Sequence, residues 1–425
     1  MNWKVIFLAL AMAMSFTLHG KDVQGAGFAL YEWGARGTSM GGTMLGRADD
    51  PSAVAYNPAG ITQLEGTQTM LGLSVVAPGG RIRTTDPAGE TQNTSIKKNY
   101  WIPPHAYVTH QMTDRAWLGL GVYTRFGLGT EYDEDWPGRY NTQFTRVQSL
   151  SFNPNIAYKF TDSLSLAVGA EVMWFDFQQE KAINTWAPGV REMDIDAELD
   201  GDSFGFGGNI ALHYKPSDTW AFGLTYKSRV RQSISGDAKF SRQPAVPLPD
   251  TFFEDTSASG TITLPDSLGF GVMFRPFEKL TLEGNAIYTF WSTYDELKIN
   301  FGDPLNPLDP DSDVTQADKK WKDVWRFQFG AEYDLTELID LRLGYVYDQI
   351  PDRDRYADYM TPTSHRHIIN TGIGFSWEKL SLDLSYSYLW FAHRSIKARN
   401  EDGVLESRFR RGHTHLAGLS LGYKF

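Results

Sequence analysis

The chain has 425 residues, 40 Lys+Arg against 51 Asp+Glu for a net charge of -11, 40 glycines, 14% aromatic residues and no cysteine. No basic stripe is available to neutralise phosphates, which excludes nucleic acid as a partner, and zero Cys excludes disulfides, thiolate zinc sites and Cys nucleophiles. A mean hydropathy of -0.36 excludes a bundle of apolar membrane helices, whereas many aromatics and glycines at low hydropathy are what a membrane β-barrel produces.

Residues 1–25 come first. Lys4 precedes an apolar stretch from Val5 to Leu18, polar residues His19 to Gln24 follow, and Val23-Gln24-Gly25 is a small-residue cleavage pattern. This is the order of a secretory signal peptide, so the mature chain is expected to start Ala26-Gly27-Phe28 and to be exported. Residues 26–66 are Gly-rich and do not alternate. A segment of about 40 residues without clear strands ahead of a barrel is unusual. It is expected to fold inside as a plug, because the lumen of a barrel of fourteen strands is too wide for wall side chains to fill. Gly37-Thr38-Ser39-Met40-Gly41 matches G-x-S-x-G, but a nucleophile elbow needs a strand before it and a helix after it. No catalytic residue and no enzyme activity are expected.

Residues 67–425 alternate with period two, the strand signature. Leu382, Leu384, Tyr386, Tyr388 and Trp390 are one example of an apolar face ending in aromatics. Fourteen such runs lie near 67–77, 100–110, 116–127, 143–160, 163–180, 195–215, 219–236, 258–275, 279–300, 319–334, 339–349, 365–377, 380–397 and 406–425. Their length suits a tilted bilayer crossing. Six short connections alternate with seven longer ones such as 78–99, 237–257 and 301–318, the asymmetry of periplasmic turns and extracellular loops. The expected fold is therefore all-β, a transmembrane antiparallel barrel of about fourteen strands in the bacterial outer membrane. Its domains are 1–25 signal peptide, 26–66 plug and 67–425 barrel. The terminal Phe425 closes an alternating last strand and resembles the assembly signal of such barrels.

The segment before the barrel carries a family resemblance. Its parts are Ala26-Gly27-Phe28, Gly41-Gly42-Thr43, Ala48-Asp49-Asp50-Pro51-Ser52-Ala53 and Asn57-Pro58-Ala59, with Trp136-Pro137-Gly138-Arg139-Tyr140 in a loop beyond. In order and spacing these resemble the FadL-type long-chain fatty-acid transport family, which includes TodX-like aromatic-hydrocarbon transporters. The resemblance implies a barrel closed by an N-terminal hatch, an apolar pocket, and sideways release of ligand through a wall opening made by a kinked strand. It also implies that Asn57, Pro58 and Ala59 lie in the hatch beside that opening and that Phe28 lies near the pocket. Independently, Pro58 fixes a rigid bend, and Asn57 offers both a donor and an acceptor.

If apolar positions face lipid, the opposite parity places Asn153, Asn155, Lys159, Glu171, Lys227, Arg229, Arg231, Glu283, Arg326, Glu332, Arg342, Asp348 and Asp383 in the lumen. A lipid-facing Arg or Lys at mid-depth would cost about 2–4 kcal/mol. Arg229 and Arg326 are the residues expected to meet a ligand carboxylate, because a guanidinium suits bidentate contact. The expected partners are a long-chain fatty acid or another hydrophobic small molecule, such as an aromatic hydrocarbon or alkane, and outer-membrane lipid or lipopolysaccharide. His413 and His415 are expected at the outer interface, within reach of head groups. A monomer is expected. No cofactor is expected, and no metal: His365/His367 and His413/His415 lack further ligands, and the Asp-rich loop Asp303–Asp313 lacks EF-hand spacing.

Overall fold

The computed structural model describes residues 27–185, 189–362 and 364–425. The expected signal peptide and Ala26 lie outside the described residues. The first strands are β1 (Thr67–Thr85), β2 (Thr91–Ser95), β3 (Pro104–Gln111), β4 (Ala116–Tyr123), β5 (Gly127–Glu131), β6 (Phe144–Lys159) and β7 (Leu164–Asn184). Then come β8 (Asp194–Tyr214), β9 (Trp220–Lys227), β10 (Val230–Arg242), β11 (Thr256–Leu264), β12 (Ser267–Phe277), β13 (Leu280–Thr289) and β14 (Glu296–Phe301). The last are β15 (Val314–Asp318), β16 (Val324–Asp334), β17 (Ile339–Asp348), β18 (Arg366–Ser376), β19 (Leu380–Phe391), β20 (Arg394–Ile396) and β21 (Glu406–Lys424).

Fourteen of these form a closed antiparallel ring: β1, β3, β4, β6, β7, β8, β9, β12, β13, β16, β17, β18, β19 and β21, which returns to β1. Closure leaves the ring no free edge, the condition for crossing a bilayer with strands. No described helix is long and apolar enough to cross a membrane. Strand parity separates two environments. On β7 Ala167 is 2% exposed and its neighbour Val168 is 58% exposed. Phe204, Phe206, Phe329 and Leu343 are likewise exposed on the outside. In water such a surface would be an aggregation liability; in a bilayer it is the lipid-facing wall.

The remaining strands extend the ring at its long-loop end. Much of the expected loops is strand as well: β1 runs to Thr85 and pairs with β2 inside 78–99, and β14 pairs with β15 at the ends of 301–318. The alternation persists there, with Ile82 and Thr84 buried. Conversely, several runs expected to be continuous are broken, between β4 and β5, β9 and β10, β11 and β12, and β13 and β14.

The break after β9 corrects two expectations. Lys227 is buried, but Arg229 and Arg231 are exposed, not in the lumen. Arg229 pairs with Asp266 at 3.2 Å. The ladder with β8 stops at Asn209–Lys227 and resumes at Asp202–Ser235. The intervening residues are 203–208 on one strand and 228–234 on the other, one more on the second. An extra residue inverts parity, so Val230 and Gln232 turn inward in place of the arginines. The other expected lumen residues are buried, apart from half-buried Lys159 near the periplasmic turn.

Candidate substrate pathway

The segment ahead of β1 carries short helices at Ala35–Ser39 and Ala53–Tyr56 and a 3-10 helix at Pro58–Gln63. Its apolar residues Met44, Ala48, Val54, Ala59 and Ile61 are fully buried against inward-facing wall residues such as Tyr107, Ala157, Ala167 and Ala211. Close approach depends on glycine. A Cβ on Gly223 of β9 would lie 1.8 Å from the Leu45 carbonyl oxygen, and Gly41 and Gly42 hold φ of 74° and 87°.

Charge fixes the segment to one side of the wall. Glu332 of β16 accepts from Arg36 Nε at 3.0 Å, from Arg47 Nη2, and from Arg342 Nε at 2.6 Å. Arg36 and Arg47 both also bond Asp49. On the neighbouring strand β13, Glu283 accepts from the backbone N–H groups of Gly46 and Arg47 at 2.9 and 3.0 Å. The Lys227 ammonium donates to the Tyr123 hydroxyl at 3.0 Å and lies 4.6 Å from the Trp33 ring. Buried charges this well partnered hold position, because loss of one partner leaves the other stranded.

Asn57 is wholly buried. Its Nδ2 donates to the carbonyls of Leu45 at 2.7 Å and of Leu212 on β8 at 3.1 Å, and its Oδ1 accepts from the Ala59 N–H. It thereby caps the 3-10 helix whose first residue is Pro58. One of its three side-chain bonds reaches the wall, at Leu212 of β8, the strand whose ladder with β9 stops at Asn209. The wall interruption nearest the chain start lies between β4 and β5. There Leu30 N–H donates to Arg125 O and Gly127 N–H to Phe28 O, each at 2.8 Å, so residues 28–30 stand where a neighbouring strand would pair.

Above the segment is an apolar cavity of about 780 Å³, counting its open mouth. Phe28, Val147, Phe175, Ile234, Ile262, Tyr294, Ile299 and Trp321 contribute to its lining, together with Lys298 and Lys319. Phe28 stacks edge-on with Trp291, ring centroids 4.8 Å apart, and packs on Trp321 at 5.7 Å. Lys319 donates to Asp358 Oδ2 and is buried. Neither Arg229 nor Arg326 lines this cavity. Arg326 is buried in the wall, bonded to Asp348 at 2.6 Å and 4.4 Å from the Tyr31 ring. Sequence reasoning did not single out Trp291, Tyr294, Lys319 or Trp321. Their only signal is a lapse of alternation at Trp291-Ser292-Thr293 and Lys319-Lys320-Trp321-Lys322.

The outer mouth is capped by packed loops. Trp136 stacks on Tyr132 at 4.0 Å and meets Tyr359 edge-on, while Arg139 bonds Asp194 at 2.8 Å. His367 and His415 each bond a tyrosine hydroxyl, of Tyr345 and Tyr386. Among the described residues, no group of three or more His, Asp or Glu side chains is placed to hold a metal ion.

A lipid-facing ring of strands with an apolar cavity inside defines an outer-membrane channel for hydrophobic molecules. Residues 17–425 match the family model described as outer membrane protein transport protein (OMPP1/FadL/TodX). The chain belongs to this family: it is an outer-membrane transporter of hydrophobic small molecules, not an enzyme. It is 24% identical to a long-chain fatty acid transport protein of Escherichia coli K12, over all of both chains. It is 26% identical to a putative outer membrane protein of Neisseria meningitidis, over 95% of this chain and 96% of that one. A FadL homologue from Pseudomonas aeruginosa shares the fold with a TM-score of 0.81 at 18% identity, over 94% of this chain and all of that one. The toluene transporter TbuX of Ralstonia pickettii gives 0.71 at 18% identity, over 93% and 99%.

Proposed function

We propose that the hydrophobic substrate is a long-chain fatty acid, held in the cavity at Phe28 and released sideways where β4 and β5 part. The observation that carries this reading is an apolar cavity whose lining includes one buried lysine, Lys319. Burying an acyl chain contributes roughly 0.8 kcal/mol per methylene, which leaves a carboxylate as the only group in need of a partner. The carboxylate role expected of Arg229 and Arg326 passes in this reading to Lys319, since a lysine ammonium is a compact charge on a flexible stem. The full-length relatives named as long-chain fatty acid transport proteins support the same substrate class. Residues 26–66 act as the hatch. Phe28, Asn57, Pro58 and Ala59 are its working positions: Phe28 fills the floor of the cavity, and the Asn57-Pro58-Ala59 cap ties the hatch to β8.

Displacement of a fluorescent fatty acid from the purified protein tests this reading. Oleate is expected to displace the probe and toluene to leave it bound. A Lys319→Met/Asp358→Asn variant, which removes both buried charges together, is expected to weaken oleate without loss of the folded barrel. Displacement by toluene with oleate inert would overturn the fatty-acid reading. The aromatic box of Phe28, Trp291, Tyr294 and Trp321 favours that second reading, uptake of an aromatic hydrocarbon.

A further inference from the structure

We propose that the outer rim of the barrel carries a binding site for the phosphate groups of lipopolysaccharide, built from Arg81, Arg83, Arg408, Arg410 and Arg411. The arginines come from two neighbouring strands in direct register. Arg81 of β1 stands opposite Arg410 of β21, and Arg83 stands opposite Arg408. Alternate residues on one strand share a face, and directly opposed residues are about 4.5–5.5 Å apart at Cα. These four side chains therefore form a compact square. Ile82 and Phe409 between them are buried, so the square points away from the lumen.

A bulge adds the fifth charge. Pairing jumps from Gly79–His413 to Arg81–Arg410, leaving Arg411 and Gly412 against Gly80 alone. Arg411 takes a φ of 52°, and both Arg410 and Arg411 are exposed, where a regular strand would turn one of them inward. Uncharged polar residues flank the square in register: Ser95 beside Arg81, Asn93 beside Arg83, and Ser395 beside Arg408.

No acidic side chain among the described residues forms an ion pair with this cluster, although Glu406 lies two residues before Arg408 on the same exposed face of β21. Among the described residues none of the five arginines makes an ion pair, although nearly every buried arginine has one. Arg83 reaches only the Thr91 hydroxyl. Like charges directly opposed across a ladder are destabilising, and here two such pairs stack in a chain whose net charge is -11. A counter-anion from outside resolves the conflict, and arginine is the side chain suited to phosphate.

Height selects the source of that anion. Tyr386, Tyr388, His415 and Trp390 lie just below on the same outward face, an aromatic layer of the kind that marks the interface. Arg410 stands fifteen residues before the terminal Phe425. At ~3.3 Å per residue and a tilt of ~40°, that is about 38 Å along the barrel axis, against an apolar band of ~25 Å. The square thus sits just outside the hydrocarbon, at the long-loop end, where the outer leaflet carries its phosphorylated sugars. Lipid A bears its phosphates at that level.

The test uses full-length protein in detergent. Fluorescently labelled bisphosphorylated lipid A is titrated into wild type and into Arg81→Gln/Arg83→Gln/Arg408→Gln/Arg410→Gln. Wild type is expected to bind, with affinity falling as salt rises. The variant is expected to bind about tenfold more weakly or worse, since several charge-assisted contacts are lost. Dephosphorylated lipid A is expected to bind wild type no better than the variant. A second readout guards against misfolding. Without lipid the variant is expected to melt no lower than wild type, because repulsion has been relieved, and lipid A is expected to raise the melting temperature of wild type only. Equal binding by the two proteins, or equal binding of dephosphorylated lipid A, would overturn the proposal. Competition by inorganic phosphate at the same concentration as lipid A would reduce the patch to a general anion site and overturn it too.

Discussion

Asp352 lies in the outer loop after β17 with its carboxylate bonded to Arg394 at 2.7 Å. Burial outweighs the attraction of that guanidinium and pushes its pKa from 3.8 up to about 6. A carboxyl with a raised folded pKa binds more protons folded than unfolded between those values, so its contribution favours folding at low pH and fades as pH rises from about 4 to about 6. The full shift corresponds to at most about 3 kcal/mol. Melting curves in detergent are expected to show the wild-type midpoint falling across that window more steeply than that of Asp352→Asn; parallel curves would refute the assignment. Single residues were legible in the sequence where alternation was strict. Glu283, Glu332, Arg342 and Asp383 are buried as parity required, because an ionised side chain on the lipid face is too costly. Lys319 was not legible, since its burial follows from Asp358, a residue distant in the chain that sequence spacing does not bring near.

Between wall and segment, the 3-10 helix Pro58–Gln63 is the element best placed for a mechanical test. Its Thr62 hydroxyl lies 2.7 Å from the Ser165 hydroxyl of β7. The chain has no cysteine, so a Thr62→Cys/Ser165→Cys pair would form a single defined cross-link. If the hatch must move for release, oxidation is expected to abolish fatty-acid uptake and dithiothreitol to restore it, while probe binding persists throughout. Full uptake by the oxidised protein would show that this element stays put during transport. The strands themselves were legible as elements and their interruptions were not. Lys227, Arg229 and Arg231 keep perfect sequence alternation across a break in the strand. What inverts the last two is a count of residues across the pair, 228–234 against 203–208, which depends on the partner strand's register and not on local sequence. The signals that do mark interruptions are local: Pro265-Asp266 between β11 and β12, and Trp291-Ser292-Thr293 turning inward as a 3-10 turn.

The whole molecule is a wall that must be apolar outside and closed inside, and the two demands are met by different parts of the chain. The ring needs no segment to stay paired, because each of its fourteen strands has two neighbours within the ring. The lumen needs the segment, because the inward face of β9, β13, β16 and β17 is charged and would otherwise hold water. Deleting residues 27–66 is therefore expected to leave a folded barrel and to open it to ions. Glu332 would lose Arg36 and Arg47 but keep Arg342 at 2.6 Å, and Glu283 would exchange two backbone donors for water. The electrostatic part of the stability lost is expected to stay below the about 3–5 kcal/mol per pair that follows when a buried charge is stranded without solvent. Planar-bilayer recording decides the matter. Wild type is expected to pass almost no current and the deletion variant to conduct as an open pore, with heat-dependent gel mobility showing that both are folded. A folded deletion variant that does not conduct would mean that the outer loops around Trp136 and Tyr359 close the barrel by themselves, leaving the segment to hold the cavity floor and the wall charges but not the seal.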